Sequence, residues 1–319
     1  MKKIAGIMIF SAIIGTNLRA QERNDVIKVY NEAATSMQTD IPAAIKSFEQ
    51  VITLADKVGE TAADLKQKAV QVLPGLYLTV ASNTMKEKKP VPEIMQAAKK
   101  AVAASEKYGS ASGKENAAKI MVQAYNTMAI DYFTQKNYDK ALQAFDSLLS
   151  INPGYLGAIY NKALIYKSQN NASAFEETIN LFLGKLEKGK DDDKAKQAST
   201  MALEYFRALG SQANQGNKLD DAIVQLNKAA KFGDDKNLFY FFADVYNKKK
   251  NFNSGAEYAQ KGLALETGDA EAKAKFYYQL AVAQVGKGQT ADACASFKNA
   301  SYGAFAEASK AQRKNLKCE

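Results

Sequence analysis

The sequence predicts an all-α solenoid of antiparallel helix pairs with a C-terminal capping helix. Two segments repeat each other at 34 residues: Ala129, Tyr132, Ala141, Phe145 and Pro153 are followed by Ala163, Tyr166, Phe175 and Ile179. A period of that length, made of two short helices, marks a stacked array whose usual business is holding partners. Five prolines in 319 residues, with Ala, Lys, Leu and Gln abundant, suit a chain that is helical nearly throughout. Within each repeat a small residue is followed at helical spacing by bulky ones, as in Ala141, Phe145 and Leu148. Small residues let two helices approach, and bulky ones fill the groove between them.

The first twenty residues stand apart. Lys2 and Lys3 precede an apolar stretch over 4–14, and Leu18-Arg19-Ala20 ends a short polar segment. This is the pattern of a secretory signal peptide over 1–20, cut after Ala20. The apolar run is shorter than the roughly 20 residues that span a bilayer, so the mature chain is expected to carry no transmembrane anchor and to be periplasmic or secreted. No cysteine lies near the cut, which argues against a lipid-modified N-terminus.

Residues 21–120 read as degenerate N-terminal repeats. Tyr30, Ala34, Ala44, Phe48 and Val51 make a first unit, and Leu76, Val80, Ala98 and Ala101 a second, with Pro90 and Pro92 in its turn. Two stronger repeats cover 121–189. The first runs through Tyr125, Met128, Ala129 and Tyr132 to Ala141, Phe145 and Leu148, and Asn152-Pro153 stops it. The second runs through Ile159, Ala163, Tyr166, Phe175, Ile179 and Phe182. Residues 190–202, with Asp191-Asp192-Asp193, read as a charged linker.

Three further repeats cover 203–303. They are carried by Phe206, Gly210, Ala222, Leu226 and Ala229; by Phe239, Ala243, Gly255, Ala259 and Gly262; and by Tyr277, Ala281, Ala293, Phe297 and Ala300. The count is seven helical pairs, two of them degenerate. Residues 304–319 form a capping helix and tail, whose Lys310, Arg313 and Lys314 suit a polar end of a stack.

These patterns resemble the tetratricopeptide repeat family, well over 121–182 and 203–300 and weakly over 25–107. The large residue of the first helix is Tyr125, Ile159, Phe206, Phe239 or Tyr277, and the small one after it Ala129, Ala163, Gly210, Ala243 or Ala281. Phe175 and Gly255 stand where the family expects Ala. The resemblance implies a right-handed superhelical solenoid, protein–protein interaction or assembly, and no enzymatic activity.

In such an array the first helices line a concave groove, and residues at i, i+4 and i+7 on them form one surface. That stripe contains Asn126, Tyr160, Lys167, Arg207, Asn214, Tyr240, Asp244, Asn247 and Tyr278, the candidate partner-binding residues. Tyrosine offers apolar area and a hydroxyl at low entropic cost, and asparagine can pair with an extended backbone. The same stripe holds Ile130, Phe133, Leu164, Val282 and Val285, which serve either as groove or as packing between repeats. The expected function is a non-enzymatic scaffold outside the cytoplasm that holds a protein segment in this groove. The alternative is a structural spacer or accessory subunit of an envelope complex, contacting partners through its convex face or its ends.

Composition narrows the chemistry. The chain has no histidine, which removes the usual hydrolase triads and most transition-metal sites; no catalytic residue, metal or cofactor is expected. Cutting after Ala20 takes Lys2, Lys3 and Arg19 from the net +9, leaving 40 basic against 34 acidic residues, or +6. That excess is scattered rather than gathered on one face with stacking aromatics, so no nucleic-acid partner is expected. Cys294 and Cys318 can oxidise outside the cytoplasm. A turn near 302 brings 294 opposite 311, so Cys318 overshoots by roughly 10 Å at about 1.5 Å per residue unless the chain end unwinds. The pair is therefore either a disulfide pinning the last helix or a buried small residue and a free thiol.

Overall fold

The structure, a computed structural model, describes residues 5–318, with side chains from 21 onward. The leader expected over 1–20 lies outside the residues with described side chains. Among the described residues every regular element is a helix, and none is long and apolar enough to cross a membrane. The chain divides into two compact units, the first ending at Ala158 and the second starting at Ile159.

The first unit holds α1 (Ala5–Ser36), α2 (Ile41–Val58), α3 (Ala63–Lys86), α4 (Val91–Lys107), α5 (Ala111–Thr134) and α6 (Tyr138–Ile151). Each helix packs on the next, and α1, α3 and α5 also touch in series, the arrangement of stacked pairs. Helix α2 shows the local logic. Asp40 caps its start by accepting from the Ala43 N–H at 3.0 Å, and Pro42 sits in its first turn, where a missing N–H costs nothing. Ala44, Phe48, Val51 and Ala55 form its buried stripe. Gly59, at φ 84°, ends it. Burying Phe48 contributes about 2–3 kcal/mol, and Phe48→Ala would open a void worth about 3–5 kcal/mol.

The second unit takes most of α7 (Leu156–Ser168), then α8 (Ala172–Gly184), α9 (Asp192–Gln215), α10 (Leu219–Ala230), α11 (Lys236–Lys248), α12 (Phe252–Leu265), α13 (Ala270–Gly286), α14 (Thr290–Asn299) and α15 (Ala306–Asn315). Its first helices α9, α11 and α13 pack side by side, and each packs on the helix that follows it. Phe175, Phe206, Phe242, Phe276 and Phe297 are fully buried along this stack. Phe175, in the place where the family expects Ala, is housed by an edge-on contact with Tyr205 at 4.7 Å and a tilted one with Phe206 at 5.8 Å.

The turns inside the pairs repeat as closely as the helices. Lys136, Asn170, Asn217 and Lys250 take left-handed φ values of 58°, 54°, 55° and 61° between first and second helices, and Gly288 does so at 74°. In each case the next N–H reaches back to the first helix, as Asn137 does to the Tyr132 carbonyl at 2.8 Å and Asn251 to that of Tyr246 at 2.9 Å. This satisfies carbonyls that the helix end leaves bare.

Three expectations need correction. The linker over 190–202 is instead helix from Asp192 onward. Acidic residues favour a helix N-terminus, and Asp191, 7% exposed, folds the turn by accepting from the Glu187 N–H at 3.2 Å and from Lys194 at 2.6 Å. In the first pair the small buried residue is Ala33, while Ala34 is exposed. The third pair begins at Ala111, about ten residues before the boundary placed at 121, because α5 runs several turns longer than the repeat template.

The chain end does unwind. α15 stops at Asn315, Lys317 turns left-handed at φ 58°, and the Cys318 N–H bonds the Arg313 carbonyl at 2.9 Å. This brings Cys318 to Cys294 with Cα atoms 5.6 Å apart, and the two are joined in a disulfide. The separation is ordinary for such a bridge.

Candidate functional site

The candidate residues divide between the units: Asn126 lies on α5 in the first, and the others lie in the second. Asn126 is half-buried beside Ile130, which is 39% exposed.

In the second unit the structure ties several candidates to one another. The Asp244 carboxylate on α11 is the node. Its Oδ2 accepts from Asn214 Nδ2 on α9 at 2.6 Å and from Lys248 Nζ at 2.7 Å, and its Oδ1 accepts from Gln279 Nε2 on α13 at 3.1 Å. Lys248 also donates to Asn214 Oδ1 at 2.9 Å. Asn247 donates to the Gln279 backbone carbonyl at 2.8 Å and to its side-chain oxygen at 2.9 Å. One carboxylate thus links three consecutive first helices. Asn214, Asn247 and Gln279 are all buried, so these amides stabilise the contact between repeats instead of facing a ligand.

Asn247 points toward its own partner helix: a β-carbon at Gly255 on α12 would collide with its Oδ1. That explains why glycine replaces alanine there. Gly262, two turns later, leaves room in the same way for the Phe276 ring.

The three tyrosines are partly packed and partly open. Tyr160 on α7 tilts against Phe182 at 5.1 Å, and its hydroxyl faces Met201 Sδ at 4.0 Å. Tyr240 meets Phe276 edge-on at 6.2 Å, with Lys275 Nζ 5.6 Å from its ring centre. Burial pushes the Tyr240 hydroxyl's pKa above the usual phenol value, and the Asp244 charge adds to this. Tyr278 packs edge-on against Phe297 at 5.6 Å and tilted against Phe305 at 5.2 Å. Among the aliphatics of the stripe, Val285 is 39% exposed, while Leu164 and Val282 are half-buried. Lys167 is half-buried at the end of α7.

A group of charges gathers around the starts of α11 and α13, joined by Arg207 from within α9 and Glu266 from the end of α12. Arg207 pairs with Asp235, and Lys236 bonds buried Glu266 at 3.0 Å. Lys275 donates to Asn237 at 2.8 Å. Burial pulls the Lys275 pKa below the usual ammonium value; Glu266 opposes this, and neighbouring Lys236 and Arg207 add to it. Glu266 is held below the ordinary glutamate range, first by Lys236 and then by the Gly268 N–H. Among the described residues no group of three His, Cys, Asp or Glu is placed to hold a metal ion.

Sequence reasoning missed Gln279, Lys248, Lys236 and Lys275. The available signal was positional: Gln279 lies 35 residues after Asp244, and Asp244 lies 30 after Asn214, close to the repeat period.

Compared with known proteins, residues 122–155 match the family model for the tetratricopeptide repeat. No curated protein matches the chain. Among solved structures, the MamA protein is 18% identical, with 62% of this chain and 97% of that one aligned at a TM-score of 0.34. A tetratricopeptide repeat protein from Parabacteroides merdae is 17% identical, with 93% and 99% aligned at 0.29. A thermophilic protein of the same type from Thermus thermophilus is 18% identical, with 62% and 100% aligned at 0.29.

Proposed function

We propose that this chain, whose residues 122–155 match the tetratricopeptide repeat model, is a non-enzymatic scaffold that holds a protein segment along the first-helix face of its second unit. The repeat fold suggests protein–protein interaction. The observation that carries the finer reading is that α9, α11 and α13 lie side by side, with half-buried Tyr240 and Tyr278 and exposed Val285 along them. Such a row offers apolar area beside hydrogen-bonding groups, the composition of interface cores.

The proposed location is periplasmic or secreted, after removal of 1–20. Its support is the leader's basic-then-apolar pattern and a disulfide, which persists in oxidising compartments. N-terminal sequencing of the fractionated protein tests it: a start at Gln21 agrees, and an intact Met1 in the cytoplasm refutes it.

Because the tyrosines also pack, the binding test uses three other positions on the stripe: half-buried Lys167 on α7, half-buried Ser211 on α9 and exposed Val285 on α13. Lys167→Glu, Ser211→Arg and Val285→Asp combined should abolish crosslinking to the partner captured by the unaltered chain, with circular dichroism unchanged. A second reading rests on Leu181, Val224 and Leu265, which are 50%, 52% and 47% exposed on the second helices α8, α10 and α12. They give an envelope-complex subunit another apolar face to use. If the partner survives the triple variant and is lost in Leu181→Asp with Val224→Asp, the spacer reading replaces the first.

A further inference from the structure

The first unit contains a cavity of about 500 Å³ between α2, α3 and α4, within the range of roughly 300–1,000 Å³ usual for small-molecule sites. Its walls include Ile45 from α2, Val80 from α3, and Ala97 and Ala104 from α4. The space exists because α4 presents alanines where larger side chains would close the gap.

The polar groups around it are unevenly balanced. Tyr77 donates from its hydroxyl to Glu49 Oε1 at 2.8 Å on the cavity wall. Burial, then Glu49, pushes the Tyr77 pKa up to about 12, so it stays a donor and keeps that carboxylate engaged. Lys107 lies 5.0 Å from the Tyr108 ring centre, and its ammonium is stabilised first by Tyr108 and more weakly by Glu49. The remaining cation on the lining is Lys100, exposed and without an ion pair among the described residues. The lining therefore combines apolar walls with two lysines against the single carboxylate of Glu49, a net charge of +1.

We propose that this cavity binds a small amphiphile made of one apolar chain and one anionic head group, the chain lying against Ile45, Val80 and the α4 alanines and the head group meeting Lys100. Charge complementarity selects the sign of the head group, since a cation would face Lys100 and Lys107 together. The proposal is independent of the face assigned to a protein partner, which lies in the other unit.

Calorimetric titration of the full chain with decanoate, below its micelle threshold, tests it. One-site binding is expected, with decanol and decyltrimethylammonium weaker. Lys100→Glu should weaken decanoate by about tenfold or more, as expected for loss of a charge-assisted contact and its replacement by repulsion. Ala103→Phe, at an exposed position on the cavity lining, should abolish binding with the helical spectrum unchanged. If Ala103→Phe fails to fold, the Lys100→Glu arm decides. Phosphatidylglycerol vesicles distinguish a membrane-borne chain from a free one. A protein that titrates with decanoate yet does not sediment with vesicles supports the free amphiphile. Sedimentation without decanoate binding, equal binding of all three probes, or decanoate binding indifferent to both substitutions overturns the proposal.

Discussion

Asn247 occupies the volume that a β-carbon on Gly255 would need. The asparagine reaches α12 from α11 and also holds Gln279 on α13 through two hydrogen bonds. Gly255→Ala should therefore expel a buried amide from its place and cost about 1–3 kcal/mol, read as a lower urea midpoint with an unchanged slope. Adding Asn247→Ala to Gly255→Ala removes the collision. The pair should then be less destabilised than the sum of the two single changes, and strict additivity would show that they do not share this space.

Asp244 gathers donors from α9 and α13. Asp244→Ala leaves buried Asn214 and Gln279 each short of a partner, and a loss of about 2–4 kcal/mol follows from unpaired buried polar groups. Native-state hydrogen exchange should show the amides of α9, α11 and α13 losing protection together. Loss confined to α11 would contradict the role of a shared node.

Lys250 closes α11 at φ 61°, a conformation that costs an ordinary L-residue about 1 kcal/mol. Lys250→Gly should raise stability by up to about 1 kcal/mol, because glycine adopts it without that cost. A thermal midpoint that falls would mean the Lys249–Lys250 turn is held by something other than backbone geometry.

Acid should weaken the second unit. Glu266 is held below its ordinary value by Lys236 and the Gly268 N–H, so the folded state binds its proton less readily than the unfolded one. The resulting stability is fully present above the unfolded glutamate value of about 4.3 and is lost as pH falls from there through the lowered folded value. Urea midpoints from pH 7 to pH 3 should drop less steeply in Glu266→Gln than in the unaltered chain. Identical slopes would remove Glu266 from the account.

Reduction should loosen the chain end. Cys294 and Cys318 close a loop with a separation of 24 residues, for which chain entropy gives about 3 kcal/mol. Dithiothreitol should lower the midpoint of the unaltered protein and leave a Cys294→Ala, Cys318→Ala variant unmoved.

Much of this fold is legible in the chain because each pair repeats the same small-then-bulky spacing. Ala141, Phe145 and Leu148 are all buried, as are Ala222, Leu226 and Ala229. Where a residue departs from that spacing, the cause lies on another helix and one period cannot reveal it. Gly255 answers Asn247, and Phe175 answers Tyr205 and Phe206. The acidic run at 191–193 reads as a linker in sequence because charge alone does not separate a solvated linker from the favoured first turn of a helix. On the candidate stripe, Tyr240, Asp244 and Asn214 lie in one neighbourhood. Helical spacing does not by itself reveal that the carboxylate is already engaged by neighbours, since Gln279 falls one position after Tyr278, off the stripe, and only its 35-residue offset from Asp244 points to it.

A linear stack of repeats ordinarily begins to unravel at a free terminus, where the outermost element has a neighbour on only one side. Here the segment that follows α15 and carries Cys318 is stitched to α14 by a covalent bond. Fraying at α15 cannot spread inward by simple peeling, so protease cuts in the oxidised protein should begin at interior turns of the unit, and the natural exit point for its melting opens when the bridge is reduced.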